Sequence, residues 1–489
     1  MRRLLLPRYL QAATSIANAP ASDPDRNGRP SSLVAMQKLL ARQATLLTRL
    51  HAEPSPNGST NRKLLRQRLD DVASVALSRL YAWRFDSVPR PWLCLYTDAL
   101  VLSTYERLLR NDDDDDDDAL DFIVQTLDRV LITTCAVSDC LDPRWVETTM
   151  QLLEETCQSD QQHLPSTTTS TLPTHEPMPR PQLKPEKECP RLAGWTLDKF
   201  EQYANDDGHV WPVVFTDLIQ DWPALTDRPW RRPDYLLSKT LGGRRLVPVE
   251  LGRSYVDQCW GQELMPFGRF LARYVLRDDD DDDDDEVDDN SNNSNSSSRR
   301  RRKRRRKNTN QTGYLAQHNL FHQIPSLRRD VTIPDFCWAP VPPHPTDPSQ
   351  DHPPLDTPQL NAWFGPAGTI TPLHTDGYHN LLCQVVGTKY VRLYPPDATP
   401  SMCPREAESG IDMSNTSRLD LGLMEGWDRP PRRDDGAGDA DVMPSSASLE
   451  GIDYRECILQ PGDTLLIPIG WWHYVRSLSI SFSLSFWWN

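Results

Sequence analysis

What the chain lacks narrows its function first. Its ten cysteines are Cys94, Cys135, Cys140, Cys157, Cys189, Cys259, Cys337, Cys383, Cys403 and Cys457. No two form a CxxC pair, and their spacing outlines neither a disulfide framework nor a zinc knuckle. No apolar run approaches the roughly 20 residues that a membrane-spanning helix needs, so no membrane partner is expected. HExxH is absent and no arranged Ser/His/Asp group is visible, which leaves peptidase chemistry without a motif. A charge surplus is absent too, once its source is found. The formal net charge of −15 matches the seven aspartates of Asp112–Asp118 plus the eight of Asp278–Asp285. Both tracts repel themselves and read as solvated loops; the rest is close to neutral and marks neither a nucleic-acid groove nor a membrane face.

Along the 489 residues, hydrophobic periodicity changes once. From Ser31 onward Leu33, Met36, Leu39, Leu40, Leu46, Leu47 and Leu50 recur at helical steps, and comparable stripes run through Leu64–Trp83, Trp92–Leu109 and Leu120–Val137. Asp142 with Pro143 reads as the N-cap and first position of a last helix. Residues 31–158 are therefore expected to form an all-α domain with a polyaspartate loop, and residues 1–30 a disordered N-terminus. The start, MRRLLLPRYLQAATSIANAP, carries Arg2, Arg3 and Arg8 and no acid before Asp23. Pro7 interrupts it, against a secretory signal; a mitochondrial presequence fits its composition, and a reducing nucleus or cytoplasm is the location adopted. Residues 159–190, with seven prolines, read as a linker. Beyond Trp195, HVWPVVF, RLVPVEL, LNAWFG, KYVRLY, TLLIPI and SISFSLSFWW read as short strands of a sandwich or barrel. Two low-complexity insertions interrupt that domain (191–489), at 278–310 and about 400–453.

His374-Thr375-Asp376 sits in this β-rich part. Ligands two apart on a strand face the same way, and two histidines with one carboxylate leave open positions on Fe(II) for a cosubstrate and O2. Alone the motif is weak, because chance gives on the order of one or two HxD/E matches in such a chain. His51-Ala-Glu53, at a helix end, is one. A third ligand must come from a distant strand, and His473, inside the aromatic run Trp471–Val475, is the only histidine after His379. Alternation puts Lys389 on the face of Val391 and Leu393. If that face is inward, a buried lysine needs an anion such as a dicarboxylate; if Tyr390 and Tyr394 face inward, Lys389 is solvated. Ser477, Ser479, Ser481, Ser483 and Ser485 are likewise either in water or a polar pocket wall.

Five stretches bear a resemblance that removes these ambiguities: GYLAQHNLFHQIP, NAWFGPAGTITPLHTD, VVGTKYVRLYPP, SNTSRLD and QPGDTLLIPIGWWHYVRSLSISFSLSFWW. In this order they resemble the JmjC hydroxylases, nearest to a branch described both as bifunctional peptidase and arginyl-hydroxylase and as lysine demethylase. The resemblance covers about Trp195 to Asn489 without the insertions. It implies an α+β multidomain chain ending in a double-stranded β-helix, a cupin-like jelly roll, that uses Fe(II), 2-oxoglutarate and O2. His374, Asp376 and His473 would be the metal ligands and catalytic centre. Lys389 would pair with the distal carboxylate of 2-oxoglutarate, with Tyr314, Thr371, Asn380 and Ser483 also on the cosubstrate. Glu250, Tyr255, Trp260, Gln317, Trp363 and Trp487 match the substrate pocket; a carboxylate among aromatics suits a guanidinium. The implied reaction couples decarboxylation of 2-oxoglutarate to succinate with hydroxylation of a C–H bond.

The implied substrate is a protein or peptide containing arginine, and chromatin proteins enter as partners of the alternative, histone N-methyl-lysine demethylation. Aspartate in the HTD leans toward hydroxylation. A catalytically silent cupin-like binding module is the reading from another class. The chain departs from the family at Gly377-Tyr378-His379, where His379 is expected to face water. Arg299–Lys307, RRRRKRRRK, reads as a nuclear import signal or as a low-complexity insertion balanced by the adjacent aspartates; without interleaved aromatics it predicts no specific nucleic-acid readout.

Overall fold

The structure is a computed structural model. It describes residues 1–19, 31–53, 59–84, 87–110, 116–161, 171–206, 210–257, 260–276, 312–407, 412–428 and 449–489. The acidic tract Asp278–Asp285, the basic run Arg299–Lys307 and most of the polyaspartate tract lie outside these residues. Contacts divide the chain into two compact units, Met1–Thr167 with Ser238–Leu246, and Thr168–Leu237 with Val247–Asn489. Among the described residues no helix is long and apolar enough to cross a membrane.

The first unit is built of helices α1 (Arg2–Ala17), α2 (Ser31–Ala52), α3 (Ser59–Leu80), α4 (Arg90–Leu108), α5 (Asp116–Thr134) and α6 (Trp145–Gln161). The expected apolar stripe of α2 packs through Leu33, Leu40 and Leu47, whereas Leu46 stays 38% exposed. One expectation fails at the start of the chain. Residues 2–17 are not disordered: Leu5, Tyr9, Ala12, Ala13 and Ile16, spaced three to four apart, bury one helix face. Tyr9 stacks on Tyr105 at 5.8 Å and meets the edge of Trp145 at 4.9 Å. The apolar content was legible, but Pro7 hid the period. Pro7 sits inside the helix, where its missing N–H forgoes the single bond to the Arg3 carbonyl and the helix continues through it. Two boundaries also move. Asp116–Asp118 open α5 rather than lying in a loop, where acids meet the positive end of the helix dipole. The last helix begins at Trp145, and Asp142 instead caps the preceding turn, accepting from the Arg144 N–H at 2.9 Å. This unit also recruits a segment from far along the sequence. Arg245 is fully buried there, bidentate on Asp128 at 2.9–3.0 Å and bonded to Glu154 at 3.1 Å.

The second unit holds thirteen described strands: β1 (Arg191–Leu192), β2 (Val213–Phe215), β3 (Leu246–Leu251), β4 (Gly261–Pro266), β5 (Gly313–His318), β6 (Gln359–Gly365), β7 (Ile370–His374), β8 (His379–Val386), β9 (Lys389–Tyr394), β10 (Arg455–Leu459), β11 (Thr464–Ile467), β12 (Trp472–Ser477) and β13 (Ser481–Trp488). A nine-stranded sheet runs β1-β2-β11-β8-β13-β6-β5-β3-β4, and a four-stranded sheet runs β10-β9-β12-β7. Alternation sorts the side chains into three clusters. Leu382, Val391, Leu393, Leu465, Ile467 and Val475 pack together between the sheets. Leu381, Cys383, Phe482, Leu484 and Phe486 pack behind the large sheet, and Tyr390, Tyr394, Trp472 and Tyr474 behind the small one. This is the two-layer cupin-like architecture implied by the resemblance.

The Pro-rich stretch is a linker only in part. From residue 171 it packs on this unit: Leu172 is buried, Cys189 N–H donates to the Glu456 carbonyl at 2.9 Å, and the Glu176 carboxylate accepts from Thr388 at 2.6 Å. Proline's fixed φ suits such an extended strap, which composition alone does not distinguish from free chain. The second insertion is likewise not low-complexity throughout, since Asp412–Asp428 is ordered. Asp420 and Asp428 bind Arg253 at 2.8–3.0 Å, and Asp428 binds the buried Arg476 at 2.8 Å.

Gly387 and Thr388 alone carry the chain from β8, in the large sheet, to β9, in the small one. Gly387 has φ +69°, and a Cβ there would lie 1.8 Å from the Ile480 carbonyl oxygen. Gly387→Ala is expected to destabilise this unit by at least about 2 kcal/mol, combining left-handed strain with a backbone clash. A lower melting temperature with slower refolding of the β-rich transition is the predicted outcome; an unchanged melt would show that the crossover tolerates a side chain.

Candidate active site

The site begins with register. β12 pairs antiparallel with β7 so that His473 lies directly opposite His374, and their rings sit 4.1 Å apart. Each ring has its Nδ1 against a carbonyl two residues back, Pro372 O at 2.8 Å for His374 and Trp471 O at 2.9 Å for His473. A carbonyl only accepts, so Nδ1 carries the proton and the Nε2 lone pair is left free. Asp376, just past the end of β7, brings one carboxylate oxygen to 3.8 Å from His374 Nε2 and the other to 3.6 Å from His473 Nε2. One donor atom from each residue falls within 4.8 Å of the others. Burial pushes His473 well below the usual histidine range, reinforced by His374, and pushes the Asp376 carboxyl upward. Three donors brought together, two of them driven by burial toward the neutral form, fit a divalent cation.

Lys389 lies at the other end of the same pocket. Side chains of Val391 and Leu393 share its face between the sheets, and Lys389 is 1% exposed. Its ammonium donates to the Tyr314 hydroxyl at 3.2 Å, and no carboxylate lies within ion-pair distance among the described residues. Burial pulls its pKa down to about 7. Thr371, Asn380, Tyr314 and Trp363 line the space between Lys389 and the histidines, with Leu382, Ile467 and Val475 as apolar wall. Asn380 Oδ1 is buried without a hydrogen-bond partner among the described residues. A cavity with a cation at one end and a metal-type triad at the other fits a dicarboxylate such as 2-oxoglutarate.

Other expected residues scatter more. Ser483 is not a pocket residue: it pairs across β13–β8 with Gln384 and spends its hydroxyl on Gln384 Oε1 at 2.7 Å. The serine row does face the interior, with Ser485 accepting from Trp363 Nε1 at 3.0 Å and Ser481 from Gln384 at 3.0 Å. His379 does not face water. It is 2% exposed, on the face of β8 that also carries Leu381 and Cys383, and its Nε2 meets the Pro342 carbonyl at 2.9 Å. Burial pushes it down to about 4, a neutral core histidine. Glu250 pairs across β3–β5 with Tyr314. Its pKa is raised by burial, and the Trp260 and Gln262 side chains hydrogen-bond it. Tyr255, pushed up to about 12 by burial, feels the charges of both Asp376 and Glu250 and lies 3.3 Å from Thr416 Oγ1. Gln317 and Trp487 line a neighbouring groove that also includes Asp376.

Sequence reasoning missed the brace on the HTD loop. Thr375 N–H donates to Asn415 O at 2.8 Å, Asn415 Nδ2 donates to Thr375 O at 3.2 Å, and His374 bridges Thr416. Asn415 and Thr416 lie in SNTSRLD, a stretch that resembles the family within the second insertion and carries no signal of its own for a brace.

The buried cation makes the site costly to hold. Lys389→Met is expected to raise the melting temperature while weakening binding of 2-oxoglutarate at least about tenfold. Because the folded pKa is depressed from 10.5 to about 7, the unfolded chain binds the extra proton between those values. The stability gain of the variant over the wild type is therefore full below about pH 7 and fades as pH rises toward 10.5. Melting curves of both proteins across this range test it; a variant less stable at pH 7 would contradict it.

Comparison with known proteins agrees with this geometry. A cupin-like domain family matches residues 204–489. Over 366 residues, 75% of this chain and 74% of the relative, the chain is 34% identical to lysine-specific demethylase 8 of Danio rerio. It is 31% identical over 411 residues, 84% of each chain, to Jumonji C domain-containing protein 5 of Drosophila melanogaster. Lysine-specific demethylase JMJ30 of Arabidopsis thaliana is 37% identical over 278 residues, 57% of this chain and 50% of that one. The chain belongs to the cupin-like JmjC family of 2-oxoglutarate-dependent dioxygenases.

Proposed function

We propose that this chain is a protein hydroxylase acting on arginine side chains, with Fe(II) held by His374, Asp376 and His473 and 2-oxoglutarate anchored on Lys389. The observation that carries the reading is the pairing of Lys389 with an otherwise unneutralised cavity that ends at the three donors. When bound, Fe(II) and 2-oxoglutarate supply the oxidising chemistry with O2, releasing succinate and CO2. The residues of the chain do the rest. His374 and His473 stay in the Nε2-free tautomer through their backbone acceptors. Lys389 and Tyr314 fix the far end of the cosubstrate, and Leu382, Ile467 and Val475 exclude water from its middle. Glu250, backed by Trp260 and near Tyr255, offers a carboxylate among aromatic rings to a guanidinium.

N-methyl-lysine demethylation is the second reading, because two of the relatives above carry demethylase names. It uses the same donors and the same cosubstrate. A silent binding module is disfavoured by the presence of every donor together with the buried lysine.

Purified full-length protein with Fe(II), 2-oxoglutarate and ascorbate, offered arginine peptides and methyl-lysine histone peptides, separates these by mass spectrometry. Gain of one oxygen on arginine peptides, reduced at least about 100-fold in His374→Ala, is the expected result. Loss of methyl groups from lysine with no oxidised arginine would replace it by the demethylase reading.

A further inference from the structure

Asp376 faces two spaces. One is the pocket shared with Lys389, and the other is a groove along the outside of the HTD loop. Asp351, His352, Asp412, Asn415, Tyr378 and Trp487 line that groove. This lining is tied to the loop. His352 N–H donates to Gly377 O at 3.4 Å, and Asn415 is braced on Thr375 as described above.

Besides Asp376, which belongs to the metal-type triad, the lining includes two carboxylates, Asp351 and Asp412, and neither lysine nor arginine. Of the histidines in the lining, His344 does not offset them. His344 has its pKa lowered by burial, and its Nδ1 accepts the Asp347 N–H at 3.0 Å, which fixes it as neutral. His352 is stacked on Tyr378 at 4.8 Å, and Tyr378 is stacked in turn on Trp487 at 5.8 Å. Trp487 is 7% exposed, and its indole N–H has no hydrogen-bond partner among the described residues. A buried donor without an acceptor is costly, and a main-chain carbonyl of a bound peptide would satisfy it. Carboxylates lining the same groove as a ring stack suit a cation with a planar or methylene-rich body.

We propose that this groove binds a second basic residue of the polypeptide substrate, a lysine or arginine flanking the residue presented to the metal, between Asp351 and Asp412 and against Tyr378. The inference rests on the reading that the pocket modifies a protein side chain. It adds that the preferred substrates are runs containing at least two basic residues, not isolated arginines.

The test uses fluorescently labelled peptides that share one central arginine and carry lysine, glutamine or glutamate at each of the three positions on either side. Peptide Kd is measured on the full-length protein at low salt, and turnover in parallel. At one offset the lysine peptide is expected to bind about tenfold tighter than the glutamine peptide, with the gap closing as salt is raised. Asp412 is exposed, and Asp412→Lys is expected to invert the order so that the glutamate peptide binds best. Equal affinity of lysine and glutamine peptides at every offset overturns the groove, whether or not turnover is seen. Absence of modification on every peptide, with the lysine preference and its Asp412→Lys inversion intact, overturns the underlying enzymatic reading and leaves the groove standing.

Discussion

The site depends on the register of one strand. β12 lies between β7 and β9, and its pairing sets His473 opposite His374 on one side while Ser477 meets Lys389 on the other. A slip of one residue would turn His473 and Val475 outward and bring Trp472, Tyr474 and Arg476 into the interior. That slip is opposed by what lies behind the small sheet. Trp472 donates to Thr399 at 2.9 Å, Arg476 is held by Asp428, and Tyr390 donates to Glu456 at 2.5 Å. The metal-type donors are therefore placed by contacts on the far side of the sheet from the chemistry.

Such a site works against stability, and the pKa directions record it. Lys389, His473 and Asp376 are each driven by burial toward the neutral form. An apolar interior would be more stable than this one. The two outer clusters offset the cost, with Phe364 stacked on Phe482 at 4.7 Å and Phe200 on Phe336 at 4.2 Å. The polar interior is thus confined to a barrel whose packing lies mostly outside it.

Much of this arrangement was legible in the sequence, for a physical reason. Strand alternation has period two, so KYVRLY and SISFSLSFWW declare two faces, and the only open matter is which face is inside. Composition could not decide that, because both faces of these strands are buried; the resemblance did. His379 failed for the same reason, being polar on the face that packs behind the large sheet. Ser483 failed because a neighbour in register, Gln384, competes for its hydroxyl. The helix at Arg2–Ala17 and the strap after residue 171 were illegible because proline content weighs equally for ordered and solvated chain. The brace at Asn415 was illegible because it is made by main-chain and amide bonds that no residue pattern declares.

The central claim is that His374, Asp376 and His473 form one divalent-metal site. Titration of the full-length protein with Mn2+ under reducing conditions, followed by loss of the free-ion paramagnetic signal, tests it without any assumption about substrate. One ion bound per chain in the wild type, with affinity reduced at least about 100-fold in Asp376→Ala, is the result the account predicts. Equal binding by both proteins would place the metal elsewhere and contradict it.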